Sequence, residues 1–368
     1  LRNTFTAASD SLCFCHTLCH VGEHFELPTL NEFKTPWLEL VGGREPHRGA
    51  RALWKEMVGV YVPGYSKVRW YAWAEITFVI ALGGMRLLGD FITALEQNDF
   101  GDKTTASLRR IYTTKADKLR IELAAMLDMR CVVKLTYEME GDRLEGLLLW
   151  ERIEGFRALG KSIAANEDGL LPNVDAVLRR LLKLKKGVEV EKHFDGHGIC
   201  VGKLTKQEEV DSTLYPGTER LAWTIQYADG HVEDVEEEEL RSAKHGPVPN
   251  GQDGKPVLIV RNLPERKYVL DALAPGFNYL EDRITGNCES NYSLVSMYEL
   301  YRVARAFNPT FAATNVDAAF VNSLSAITPL VAHGMLDDLK KEMPQYIAAA
   351  RAARPIPTES VADFTEAV

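Results

Sequence analysis

Between Lys192 and Leu240 the spacing of apolar residues changes from helical to alternating and back, and no other stretch constrains the fold as tightly. Leu221, Trp223, Ile225 and Tyr227 alternate with Ala222, Thr224 and Gln226, so an extended segment here has one apolar face and one small or polar face. Asp229-Gly230 follows at once, a dipeptide suited to the positive φ angles of a tight hairpin turn, and His231 to Val235 starts a second short strand. Upstream, Gly196, Gly198 and Gly202 bracket Ile199 and Val201, a pattern that suits a strongly curved strand in a small barrel.

The flanking chain reads as helix. Apolar residues recur at helical spacing at Leu119, Leu123, Met126 and Leu127, and again at Leu147, Leu148, Trp150, Ile153 and Phe156. Val132, Val133, Leu135 and Tyr137 are rich in β-branched residues but lie between two helical patterns, and they are read as helix. Asn166 to Gly169 with Pro172 marks a helix boundary, and Ala243 to Lys255 is a connector rich in glycine, proline and asparagine. Helical spacing then returns at Val269, Leu270 and Leu273, and runs through Leu294, Met297, Tyr298, Tyr301 and Val303 toward Ala353. The expected class is α+β, mainly α-helical with a small inserted β-barrel. Its expected units are residues 1–186, 187–243 (the barrel), 244–257 (linker) and 258–368 (C-terminal helices).

A net charge of −9 disfavours nonspecific attraction to nucleic acid, which would have to come from local basic faces. Two runs qualify: Arg109 and Arg110 through Lys115, Lys118 and Arg120, and the helix-like LRRLLKLKK from Leu178 to Lys186. Either also reads as a solvated helix face. The 6 cysteines form no repeated C-x-x-C pair, which points to a reducing compartment without a disulfide framework. The longest apolar stretch, Ile76 to Met85, is too short to span a bilayer and reads as a buried helix, so no membrane partner is expected. A start at Leu1 is read as the sign of a piece of a larger product.

The pattern K-x-F-D-G, V-G-K-L and W-x-I-x-Y-x-D-G-x-x-E-D-V-x-x-x-E-L between Lys192 and Leu240 resembles the Tudor-like domains of plant, algal and oomycete chromatin and transposon proteins. His231 stands where that family usually has another acid. The resemblance implies a small barrel able to bind a histone tail or another peptide. An aromatic cage for a methylated lysine needs aromatic faces converging on a cation beside carboxylates. Phe194, Trp223 and Tyr227 are the candidate walls, with Asp229, Glu233 and Asp234 as the rim. The competing reading, that these rings fill the barrel's own core, is favoured because so small a unit needs all the apolar area it can bury.

Three further segments, CFCHTLCHVGEHF from Cys13, GYSKVRWYAWAEI from Gly64 and YRVARAFNPTFA from Tyr301, together resemble hAT-type transposases and their domesticated or decayed relatives. Cys13 and His16 match the C-x-x-H motif that follows the second catalytic aspartate of that family's ribonuclease-H-like core. Arg69 and Trp70 match the pair that opens its helical insertion domain, and the resemblance implies that the tryptophan stacks on a flipped base while Arg69 and Lys67 contact phosphates. A plain core role for the Tyr65, Trp70, Tyr71 and Trp73 cluster stays open beside it. Phe307 to Phe311 resembles the family's signature beyond the insertion.

The departures bear on activity. Such transposases hold divalent cations with acidic residues, and the family's aspartates upstream of the C-x-x-H motif and its downstream serine-glutamate signature are not found here, since Asp10 sits too close to Cys13. No catalytic residue and no cofactor is assigned. His16, Cys19, His20 and His24 have a helical spacing that zinc ligands use, but no second pair at zinc-finger spacing exists, and packed or hydrogen-bonded histidines are the commoner meaning. The expected function is nuclear association with DNA and chromatin by a transposon-derived protein that does not cleave alone. The alternatives are a part of an active hAT-type transposase, and a Tudor-like histone or peptide reader on a helical scaffold.

Overall fold

Helix α2 (Pro28–Trp37) and helix α10 (Pro172–Leu181) both begin on proline, preceded by Leu27 and Leu171, which have no side chain able to cap a helix. The caps come instead from one distant helix, α7 (Ala116–Asp128). Fully buried Glu122 accepts hydrogen bonds from Thr29 N (3.2 Å) and Leu30 N (2.6 Å), and Asp128 accepts from Asn173 N and Val174 N (both 3.0 Å). Each carboxylate meets the unpaired N–H groups and positive end of a helix dipole, which repays part of its own burial.

These contacts belong to a computed structural model that describes residues 14–42, 47–66, 70–140, 149–167, 169–212, 215–243, 252–289, 294–326 and 335–352. The remaining helices before the sheet are α1 (Phe14–Glu23), α3 (Arg48–Val58), α4 (Trp70–Val79), α5 (Leu88–Gln97), α6 (Asp102–Thr114), α8 (Arg130–Glu140) and α9 (Leu149–Ala164). The β-branched run at Val132 is thus helix, where flanking context outweighs strand propensity. After the sheet come α12 (Pro264–Thr285), α13 (Val295–Ala304), α14 (Pro309–Asn315), α15 (Ala318–Ser323) and α16 (Met335–Ala352). Among the described residues no strand precedes Glu189, and no helix is long and apolar enough to cross a membrane.

One core runs from Leu18 to Leu178 and resumes from Val260 to Leu294, because α12 packs back on α1, α7, α9 and α10. At its centre Trp37 meets Trp54 edge to face, 4.9 Å between ring centroids. A buried ion pair, Arg266 Nε to Asp175 Oδ1 at 2.9 Å, ties the start of α12 to α10. A separate small cluster joins Val303, Ala312, Val316, Leu324, Met343 and Ile347.

The sheet comprises β1 (Glu189–Phe194), β2 (Gly198–Asp211), β3 (Glu219–Tyr227), β4 (Val232–Glu236) and β5 (Val257–Leu258), with a short helix, α11 (Glu237–Ser242), between β4 and β5. Strand order is β4-β3-β2-β1-β5 and every pairing is antiparallel. The sheet stays open, with β4 and β5 at its edges, in place of the closed barrel expected from the sequence. Gly196, read as a mark of a curved strand, instead has positive φ in the turn between β1 and β2, and Gly198, also at positive φ, opens β2. At Asp229-Gly230 only Gly230 has positive φ (91°), and Tyr227 N donates to His231 O at 2.9 Å, so the turn is a three-residue loop rather than the two-residue one. Val190, Phe194, Leu204, Trp223, Ile225, Tyr227, Val235, Leu240 and Leu258 form the sheet's own core.

Asp128 gives a pH test of the capping arrangement. Burial pushes its pKa up to about 7, against the lowering effect of the N–H groups it accepts from. A carboxyl whose pKa is higher folded than unfolded contributes stability that is complete at acid pH and is lost as pH rises from about 4 to 7, up to about 4 kcal/mol in all. Between pH 5 and 8, denaturant midpoints of the wild type are expected to fall relative to those of Asp128→Asn; parallel curves would remove Asp128 as the cause.

Candidate functional site: an aromatic box and an acidic groove

The alternation of β1 puts Val190, Lys192 and Phe194 on the same face, and Val190 and Phe194 belong to the sheet's core. Lys192 is therefore buried, with only 9% of its side chain exposed. Its ammonium lies 4.8 Å from the Phe194 ring centroid and 2.7 Å from Glu233 Oε2. Tyr227 Oη donates to the other oxygen of the same carboxylate at 2.5 Å. Burial first, and then this bond to an anion, raise the Tyr227 pKa far above that of a free phenol. Phe194 stands perpendicular to Tyr227 at 5.1 Å, and His231 joins both rings, at 5.2 and 5.8 Å.

This arrangement holds a cation between one aromatic face, that of Phe194, and a carboxylate shared with the Tyr227 hydroxyl, and the cation is the chain's own lysine. Two of the expected wall residues, Phe194 and Tyr227, converge in it. Trp223 does not, being 6% exposed in the sheet core with its indole N–H lacking a hydrogen-bond partner among the described residues. Asp229 is not on the rim either, because its carboxylate accepts from His231 N at 2.9 Å and shapes the turn. Asp234 accepts from Thr224 Oγ1 at 2.6 Å, on the side of β3 opposite Trp223 and Tyr227. Lys192 was missed as a box member although the alternation Val190, Lys192, Phe194 contains the signal.

Beyond the irregularity between Leu204 and Lys206, the β2–β3 hairpin extends past the core and faces α11. Between them lies a groove of about 430 Å³, lined by Glu209, Glu219, Leu221, Glu237 and Glu238 with Arg220 and Arg241. Leu221 is 45% exposed there, although strand alternation placed it on the apolar face, because the hairpin outruns the core that would cover it. The guanidinium of Arg241 is committed elsewhere: it pairs with Glu237 at 2.9 Å and donates to the carbonyls of Arg179, Arg180 and Leu182 at the end of α10. Arg220 lies over Tyr215, 5.0 Å from its centroid.

The other sequence candidates are dispersed. Cys13, Lys67 and Arg69 lie outside the described residues, and His16 lies in α1. Trp70 is 8% exposed and opens α4 inside the helical core. Gly22 of α1 permits this, since a Cβ there would sit 2.1 Å from the indole, and Phe25 meets the indole edge-on at 5.9 Å. Tyr71 and Trp73 are buried as well. His20 Nδ1 bonds Glu23 at 2.6 Å, and His24 Nδ1 bonds His20 O at 2.7 Å while stacking on Tyr279. Among the described residues no group of three or more histidine, cysteine or acidic side chains is arranged to hold a metal ion. Comparison with family models, with curated proteins and with solved structures gives no match for this chain.

Proposed function

We propose that this chain is a transposon-derived, chromatin-associated protein whose five-stranded unit is a Tudor-like module recognising a basic peptide such as a histone tail. The order β5-β1-β2-β3-β4, with a short helix between β4 and β5, supports the Tudor-like reading, as does a cluster of Phe194, Tyr227 and His231 with an ammonium on the Phe194 ring. The observation that carries peptide recognition is the groove between the β2–β3 hairpin and α11: carboxylates on its walls and Leu221 on its surface suit a lysine- or arginine-rich segment with an apolar anchor. The box, filled by Lys192 and closed by Glu233, acts as a structural element of the module.

Titration of the full chain with lysine-rich histone-tail peptides is the test. A Glu219→Lys, Glu238→Lys variant is expected to lose at least about tenfold in affinity, as opposed charges become like charges at the contact. A Lys192→Met variant is expected to bind as the wild type does. The reverse pattern, with groove variants unaffected and Lys192→Met gaining affinity for methylated peptides, would move recognition to the box. Absence of binding by every peptide would remove the reader function.

A further inference from the structure

The two basic runs of the sequence have different fates. In the first, Arg109 pairs with Glu96 at 2.7 Å, and Arg110 and Lys115 both pair with Glu32 at 2.5 Å. Those hydrogen bonds hold the Glu32 and Glu96 pKa values below the ordinary range, as expected where the cations are neutralised in place. The second run does not continue as the helix its composition suggested. Helix α10 ends at Leu181, the backbone of Leu182 turns extended (ψ 124°), and residues 182–185 form a strap leading into the sheet.

Period-two alternation now decides which way the side chains go. Leu182 and Leu184 pack against the sheet's core, while Lys183 and Lys185 are exposed. Exposed Arg180 precedes the strap, and exposed Lys186 follows it in the turn closed by Val188 N to Lys185 O at 3.1 Å. None of these four forms an ion pair among the described residues. Arg179, in contrast, is buried. The strap is also fixed at both ends. The Arg241 guanidinium holds the carbonyls of Arg179, Arg180 and Leu182, and the chain after Lys186 is pinned to β2 by Gly187 N to Leu204 O (2.8 Å) and Leu204 N to Val188 O (2.9 Å).

We infer that Arg180, Lys183, Lys185 and Lys186 form a contact surface for the phosphate backbone of nucleic acid, distinct from Arg69 and Trp70. On an extended backbone, alternate residues such as Lys183 and Lys185 lie roughly 6.6 Å apart on one side, a spacing at which neighbouring ammonium groups can meet neighbouring phosphates of one strand. A strap already ordered by its leucines and by Arg241 gives up little backbone freedom when it binds. In a chain of net charge −9, a group of cations left unpaired and exposed on a fixed backbone is available to a polyanion. Backbone contacts of this kind carry no base preference, so the surface adds affinity and orientation rather than sequence choice. The inference takes its setting from the chromatin reading, but it rests on a surface other than the peptide groove.

Fluorescence anisotropy of the full chain with a short duplex of arbitrary sequence, across a range of salt concentrations, tests it. Each phosphate neutralised contributes about −0.9 to the slope of log K against log salt, so the wild type is expected to show a slope of roughly −3 to −4. The triple change Lys183→Gln, Lys185→Gln, Lys186→Gln is expected to lower affinity at least about tenfold at low salt and to flatten the slope by about 3. Arg109→Gln with Arg110→Gln, in the neutralised run, should leave affinity within about twofold. Histone-peptide binding serves as the second readout: if it survives in the triple variant while DNA binding is lost, the strap is a separate surface. An unchanged slope in the triple variant overturns the inference, as does equal loss in the Arg109 and Arg110 variant, or binding to phosphatidylserine vesicles without binding to duplex DNA. Single-stranded RNA of matched length distinguishes the polymer, with a shallower slope of about −0.7 per contact.

Discussion

Trp70→Ala is expected to destabilise the helical core by about 3–5 kcal/mol, the usual cost of removing a buried tryptophan, and to leave the DNA affinity of the folded fraction unchanged. The indole is 8% exposed, lies against the Cα of Gly22, and is met edge-on by Phe25, so a base reaches its face only if α1 and α4 separate. Gly22→Ala should reproduce much of the loss from the other side of the contact, because its new methyl group would sit 2.1 Å from the ring. Urea unfolding together with anisotropy on DNA ends carrying unpaired bases separates the two roles. Wild-type stability with several-fold weaker binding to such ends would restore the base-stacking role that the hAT resemblance implies.

Glu233→Ala should cost about 3 kcal/mol or more in the sheet unit, whereas Lys192→Met should be neutral or stabilising. The reason for the asymmetry is desolvation. With Glu233 present, the Lys192 ammonium has a carboxylate at 2.7 Å and an aromatic face at 4.8 Å. Without it, a charge with 9% of its side chain exposed stays buried without its counter-ion, and the Tyr227 hydroxyl loses its acceptor as well. Methionine in place of Lys192 removes the charge and fills a similar volume beside Phe194 and Tyr227. Thermal melts of the single variants and of the double variant test this: the double variant should recover most of what Glu233→Ala loses. Equal destabilisation by both single variants would show that the ion pair itself, and not the avoidance of an unpaired charge, holds the box.

Much of the fold was legible because its signals are local. Alternation at Trp223, Ile225 and Tyr227 gave β3, the Asp-Gly turn gave the β3–β4 hairpin, and helical spacing carried α7, α9 and α12. What stayed hidden depends on contacts between distant residues. Leu27 and Leu171 look like poor helix starts until Glu122 and Asp128, roughly 90 and 40 residues away along the chain, are seen to supply the caps. LRRLLKLKK has the composition of a basic helix, and only the sheet's hold on Leu182 and Leu184 turns its second half into an extended strap. For the site, Phe194 and Tyr227 could be picked out as aromatics facing one way, but Lys192 carried no assignment, since lysine is seldom buried and nothing local marks an exception. Leu221 fits the same alternation as Trp223 and is nevertheless exposed, since periodicity gives a residue's side of the sheet and not how far the core beneath it extends.

The Arg266–Asp175 pair has a further consequence. It joins α10 and α12 directly, so the chain leaves the helical core at Leu181 and re-enters it at Val260 on two elements already held together from within. For the helical layer, the whole sheet unit is then a loop whose closure does not depend on the sheet. Loop-closure entropy changes slowly with length, so exchanging that loop for a short flexible one, or for an unrelated domain with neighbouring ends, changes the layer's stability little. A chimera that carries a different unit between Leu181 and Val260 is therefore expected to keep the helical core folded, provided the new unit supplies donors for the α10 carbonyls that Arg241 holds.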